Sequence, residues 1–171
     1  MKRTGLGAVL IAAVAVAGAQ AQDSGPSPNA SERGWIASCL KKNAQGGAAN
    51  RACVAIVLKA CLGDEDAPKS IKPSDLNAHP RSCAPVEQKI WDEWLNRWYG
   101  EALKKIPAAA VDKLRAAQRA WIAYRDAACA VDGALHEFPL GEDNEATCLM
   151  TETASRALDM RDLANDDYDS P

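Results

Sequence analysis

The chain has little of what most protein chemistry requires. It holds two histidines and one phenylalanine in 171 residues. Neither His79 nor His136 stands at ligand spacing from a cysteine pair, so the sequence fits no zinc template and no metal is expected. No Ser, His and Asp follow a nucleophile motif and no Gly-rich phosphate loop occurs, which leaves no catalytic residue, no cofactor and no enzyme activity to assign. A carboxylate pair assembled from distant segments is the one catalytic arrangement that spacing leaves open. Positive charge is not in excess either: 20 Lys and Arg against 23 Asp and Glu give a formal charge of −3, which argues against nucleic acid as a partner. The main apolar run, Leu6 to Gly18, is too short for a membrane span, and no cysteine follows it to carry a lipid.

What is present begins with Lys2 and Arg3, that apolar run, and Ala19-Gln20-Ala21. Residues 1–21 therefore read as a secretory signal peptide cut before Gln22, and the product is expected in the periplasm or secreted. Cleavage takes Lys2 and Arg3 and no acid, leaving 18 basic against 23 acidic residues. Such a protein suits a basic partner. Its six cysteines are Cys39, Cys53, Cys61, Cys83, Cys129 and Cys148, and an even number in an exported chain implies three disulfides.

Residues 22–34, rich in Ser, Pro, Gly and Asn, read as a disordered linker. Asn29-Ala30-Ser31 matches a glycosylation sequon and is taken as linker composition. Residues 35–84 form a Cys-rich helical subdomain. Its stretches Trp35–Lys42 and Asn50–Cys61 flank a turn with Gly46 and Gly47, which brings Cys39 opposite Cys53. Cys53 and Cys61 lie about 12 Å apart along a continuous helix and cannot bond each other, so Cys61 falls to Cys83. Residues 85–165 form a second helical domain, and 166–171 an acidic tail. Its first helix, Pro85–Ile106, is apolar over more than half its circumference, which requires cover on two sides. Trp91, Trp94 and Trp98 on it read as packing.

Val111–Cys129 is the least ambiguous segment. It lacks Gly and Pro, and its apolar residues share one arc, as in a core-facing helix. Gln118 and Arg125 interrupt that arc, as Glu152 and Arg156 interrupt the last helical stretch, Glu145–Leu163. If Cys129 and Cys148 close an antiparallel hairpin, Arg125 faces Glu152, Trp121 faces Arg156 and Gln118 faces Asp159. An internal ion pair and an indole stacked on a guanidinium follow. The alternative puts all four charges on solvated helix edges. Between the helices, Val131–Glu145 reads as a loop bearing acids beside apolar residues. His136, Glu137, Phe138, Glu142 and Asp143 form its candidate partner-binding surface, unless Phe138 and Leu140 fold back onto the core. The fold class is thus all-α, a small disulfide-stapled helical bundle with a C-terminal helical hairpin.

Leu95-Asn96, Tyr99, Leu103, the run Ala117-Gln118-Arg119-Ala120-Trp121-Ile122 with Tyr124-Arg125-Asp126 and Cys129, and then Cys148-Leu149 with Thr151-Glu152, resemble the LprI-type lysozyme inhibitor family. The resemblance runs from about Trp91 to Leu163. It implies a helical, disulfide-bonded envelope protein that inhibits a basic lysozyme-type muramidase. The chain differs in lacking a lipoprotein cysteine and in its Cys-rich stretch from Trp35 to Cys83. A non-catalytic adaptor of the envelope is the other function that such a scaffold accommodates.

Overall fold

A computed structural model describes residues 26–43, 51–72, 76, 82–166 and 168. The expected signal peptide, the turn with Gly46 and Gly47, His79 and most of the acidic tail lie outside the described residues. Those residues form five helices and no strand: α1 (Ala30–Lys42), α2 (Ile56–Leu62), α3 (Cys83–Lys105), α4 (Ala108–Ala134) and α5 (Leu140–Asn165). The molecule is an all-helical, disulfide-stapled bundle. Cys39–Cys53, Cys61–Cys83 and Cys129–Cys148 are bonded, with Cα atoms 5.7, 6.0 and 5.4 Å apart, the pairing expected from spacing.

α1 starts at Ala30, inside the stretch read as linker. Asn29 is the reason: its side-chain oxygen accepts from the Glu32 backbone N–H at 2.9 Å, and the Glu32 carboxylate accepts from the Asn29 N–H at 2.7 Å. This reciprocal box satisfies two of the helix's open donors. Lys41 and Lys42 in the last turn face the negative helix end. Arg33 ties α1 to α3 through a two-pronged contact with Glu93, Nε to Oε2 at 2.8 Å and Nη2 to Oε1 at 2.6 Å. That guanidinium holds the Glu93 carboxyl below its usual range.

α2 is shorter than Asn50–Cys61 because Ala55, at φ 67°, leaves the helical region and sets the start at Ile56. The donors exposed there meet Glu87 of α3, which is fully buried. One carboxylate oxygen accepts from the Ala55 N–H at 2.8 Å and from the Trp91 indole N–H at 3.0 Å, while the other accepts from the Leu58 N–H at 2.8 Å. Burial pushes the Glu87 carboxyl up, against the downward pull of these donors.

Along α3 the buried residues Val86, Ile90, Trp91, Leu95, Trp98 and Ala102 recur every three or four positions. Of these, Ile90, Trp91, Leu95 and Trp98 meet Met150, Ala154, Ala157, Leu158 and Met160 of α5 in one cluster that also takes Ile36, Leu40, Ile56 and Val57. Trp94 and Trp98 stack with ring centres 4.8 Å apart, which makes these indoles packing residues. α5 is the middle helix, lying against α3 on one side and α4 on the other. The segment expected to face the core, α4, does so along one flank only, where Leu114 and Trp121 pack partly buried against that cluster. Cys129 is its single buried residue, while Ile122 and Tyr124 are exposed. A one-sided apolar arc marks a helix covered on one side, and α5, covered on both, shows less one-sidedness in its sequence. No described helix is long and apolar enough to cross a membrane.

Glu87→Ala strands three donors in the core and should cost about 3 kcal/mol or more by denaturant unfolding. The pH dependence has a definite sign. A carboxyl whose pKa is higher folded than unfolded contributes stability that is full below the ordinary value of 4.5 and is lost as pH rises through the folded value. Melts should therefore show the wild type losing ground to Glu87→Gln as pH rises above that value.

Candidate functional site

The distal end of the α4–α5 hairpin is built by two glycines. A Cβ on Gly141 would lie 2.6 Å from the His136 carbonyl oxygen and closer still to that of Gly133, and one on Gly133 would lie 2.7 Å from a Glu145 carboxylate oxygen. The two helices touch backbone to backbone there. Consequently the expected loop Val131–Glu145 shrinks to Leu135–Pro139: α4 runs through Gly133 and α5 starts at Leu140. Neither glycine breaks a helix; each permits close approach. Cys129–Cys148 closes the hairpin just beneath.

Five candidate partner-binding residues come together on this end. His136, Glu137 and Phe138 occupy the connection, Glu142 and Asp143 the first turn of α5, and all five are exposed. The two acids at the N-terminus of α5 are favoured by the positive helix end. Phe138 and Leu140 do not fold back onto the core, being 70% and 53% exposed. Six of the seven large apolar side chains exposed among the described residues fall between 122 and 140: Ile122, Tyr124, Val131, Leu135, Phe138 and Leu140. Tyr124, Val131 and Leu135 share one stripe of α4 by their spacing.

Charge is divided along the same line. Residues 126–155 carry seven acids, Asp126, Asp132, Glu137, Glu142, Asp143, Glu145 and Glu152, with no Lys or Arg. The remainder of the chain holds all 20 basic residues and 16 acids. The whole negative excess of the protein thus lies at the hairpin.

Deeper in the hairpin, the expected structural residues meet in a different pairing. Two guanidinium groups lie over Trp121, Arg125 at 5.1 Å and Arg156 at 5.7 Å from its ring centre, so the Trp121–Arg156 contact is present. Gln118 accepts from Arg156 Nε at 2.9 Å, in place of facing Asp159. The Arg125–Glu152 ion pair does not form. Arg125 donates to Asp126 at 2.7 and 2.9 Å and to Thr153 Oγ1 at 3.2 Å, because a carboxylate one residue away is reached without crossing the helix interface. Glu152 turns to the other side and lines a cleft of about 400 Å³ with Asp132, Leu135, His136, Asn144, Thr147, Cys148 and Thr151. Among the described residues no group of three or more His, Cys, Asp or Glu is placed to hold a metal ion.

Sequence reasoning missed Asp132 and Glu152 as cleft residues and Glu87 as an internal cap. Glu87 lay open to discovery by the test that flagged Gln118 and Arg125, since it falls in the apolar arc of its helix beside Val86, Ile90 and Trp91.

Fold and site together define a small disulfide-stapled helical protein whose exposed apolar and acidic chemistry is gathered at one end of a hairpin. Residues 72–160 match the family model described as Lysozyme inhibitor LprI. That match takes in α3, α4 and most of α5, more than half of the chain, and the chain belongs to the LprI family. It is also similar to a protein of Escherichia coli (strain K12) named Uncharacterized protein YecT, with 29% identity over 109 residues, 53% of this chain and 67% of the other. No solved structure matches the chain.

Gly141→Ala should force the helices apart and cost about 1–3 kcal/mol. Gly34 and Gly100, helical with open space around them, provide the control: alanine at either should stabilise by about 0.5–1 kcal/mol. Chemical denaturation of the three variants checks both signs.

Proposed function

We propose that this protein binds and inhibits a basic lysozyme-type muramidase, presenting the distal end of the α4–α5 hairpin to the enzyme's active-site cleft. The observation that carries the reading is the coincidence, on that one end, of the chain's negative excess with its exposed apolar side chains. Membership of the LprI family supports the partner class. Lysozymes cut glycan with two carboxylates in a cleft and commonly carry a strongly basic surface. The acids of the hairpin therefore belong on the basic rim, where they attract, and Leu135 and Phe138 at the cleft mouth, where an acid would be repelled. Glu137, Glu142 and Asp143 steer the encounter, Phe138 supplies apolar contact, and His136 lies between the two. Inhibition by occlusion needs no catalytic group and no cofactor. Three disulfides suit the periplasmic or secreted location that the expected signal peptide specifies.

Turnover of peptidoglycan by a basic lysozyme, with and without the oxidised protein, is the test. Dose-dependent inhibition should weaken between low and physiological salt, because the encounter is electrostatic. Glu142→Lys with Asp143→Lys should raise the inhibitory concentration at least tenfold, and Phe138→Ser should do so with the salt dependence kept. Full inhibition by all of these variants would put the contact surface elsewhere. Failure to inhibit any lysozyme class would move the function to an envelope adaptor that uses the same surface.

A further inference from the structure

α4 has a second face that no described helix covers. α5 lies along one flank, and on the opposite flank Ala116, Ala120, Ala123, Ala127, Ala130 and Ala134 are all exposed. Their spacing alternates between four and three residues, the period of about 3.5 that keeps one seam of a helix against a partner helix over several turns. Along one edge of that seam stand Tyr124 and Val131, 64% and 57% exposed. Along the other edge stand two opposite charges seven residues apart, Arg119 and Asp126. Arg119 makes no ion pair or hydrogen bond among the described residues. Asp126 accepts from Arg125 through Oδ1 alone, at 2.9 and 2.7 Å, and its side chain remains 56% exposed.

We infer that this face pairs with the same face of a second copy of the chain, the two α4 helices running antiparallel about a two-fold axis near Ala123. Charge selects both the occupant and the direction. Under such a two-fold, each edge of the seam meets the same edge of the other copy, so Arg119 of each copy comes opposite Asp126 of the other. A parallel pair would bring Arg119 to the Tyr124 edge. It would also set two hairpin ends side by side, each with seven acids and no Lys or Arg over residues 126–155. Antiparallel pairing instead lays the acidic distal part of α4 along the proximal part of its partner, where Lys113, Arg115 and Arg119 outnumber Asp112. Tyr124 then meets its own copy and Val131 meets Ala117, which closes the other edge with apolar side chains. Alanine along the seam lets the helix axes approach to the short end of the roughly 8–10 Å range of packed helices. At 27 residues α4 is about 40 Å long, and half the circumference of a cylinder about 10–12 Å wide over that length is roughly 700 Å² per copy, close to the ~800 Å² per partner of a standard interface. Phe138, Glu142 and Asp143 lie beyond the seam, so both hairpin ends stay open, and the pairing stands or falls separately from the lysozyme reading.

Sedimentation equilibrium of the oxidised, exported protein between roughly micromolar and millimolar concentration is the test. The average mass should rise towards twice that of one chain as concentration rises. Ala123→Glu, which drives a carboxylate from each copy into the seam near the two-fold, should hold the protein at the mass of one chain while its helicity by circular dichroism is kept. Arg119→Glu alone and Asp126→Arg alone each set like charges opposite one another and should weaken pairing at least tenfold, again with helicity kept. Mixed in equal amounts, these two variants regain opposite charges at both contacts and should recover the wild-type association. A wild-type protein that stays at the mass of one chain up to millimolar concentration overturns the second copy as the occupant. Pairing that survives Ala123→Glu overturns this face as the interface, and a mixture that fails to recover association overturns the antiparallel arrangement.

Discussion

The architecture of the hairpin's distal end follows from the closeness of two helix backbones. Where Gly133 and Gly141 meet, Gly141 has no room for a side chain against the Gly133 and His136 carbonyls, and one at Gly133 would have to displace Glu145; that contact dictates much else. It shortens the connection to Leu135–Pro139, which leaves the apolar residues of the turn without enough chain to reach back to the core. It also aligns α4 and α5 so that Cys129 and Cys148 bond and Trp121 meets both Arg125 and Arg156. The exposed tip is a product of geometry. A longer loop with the same residues could have hidden Phe138 and Leu140.

At the other end of the molecule a single carboxylate does comparable work. Glu87 accepts from both the start of α2 and the indole of Trp91, so the N-terminal segment and the LprI-matching helices share a buried polar junction as well as one apolar core. A buried carboxylate is tolerated only when donors replace its water, and the left-handed Ala55 is what turns those donors towards it. Cys61–Cys83 closes the same junction covalently, and the Arg33–Glu93 pair spans it on the surface.

Much of the fold could be read from the chain, and the part that could not has a physical explanation. Cysteine spacing and the apolar arcs were enough for an all-helical bundle and for all three disulfides, because covalent reach and helical period are local constraints. Glycine misleads: Gly133 and Gly141 lie inside the segment that reads as a loop, Val131–Glu145, since a single sequence does not distinguish a residue chosen for conformational freedom from one chosen for the absence of a side chain. Asn29 misled in the same way, polar enough to suggest linker yet placed to cap α1. α3 and α4 have similarly one-sided apolar patterns, so the pattern alone did not tell the helix at the centre of the core from the one at its edge. Of the candidate site, the exposed tip was legible from composition. The cleft was not, because it depends on which carboxylate captures Arg125, and a neighbour one residue away wins over the partner across the interface.

The one-sided seating of α4 carries a consequence for how the protein breathes. α4 joins α3 through Ile106 and Pro107 and joins α5 through a disulfide near its far end, so it is pinned at both extremities and covered along one flank. Opening free energy scales with the apolar contact that must be given up, and α4 has the least to give up of the three long helices. Its middle turns form the natural unit of partial unfolding, a span able to lift away and reseat while the α3–α5 core stays closed. The contacts of the Trp121 ring with Arg125 and Arg156 lie in that span.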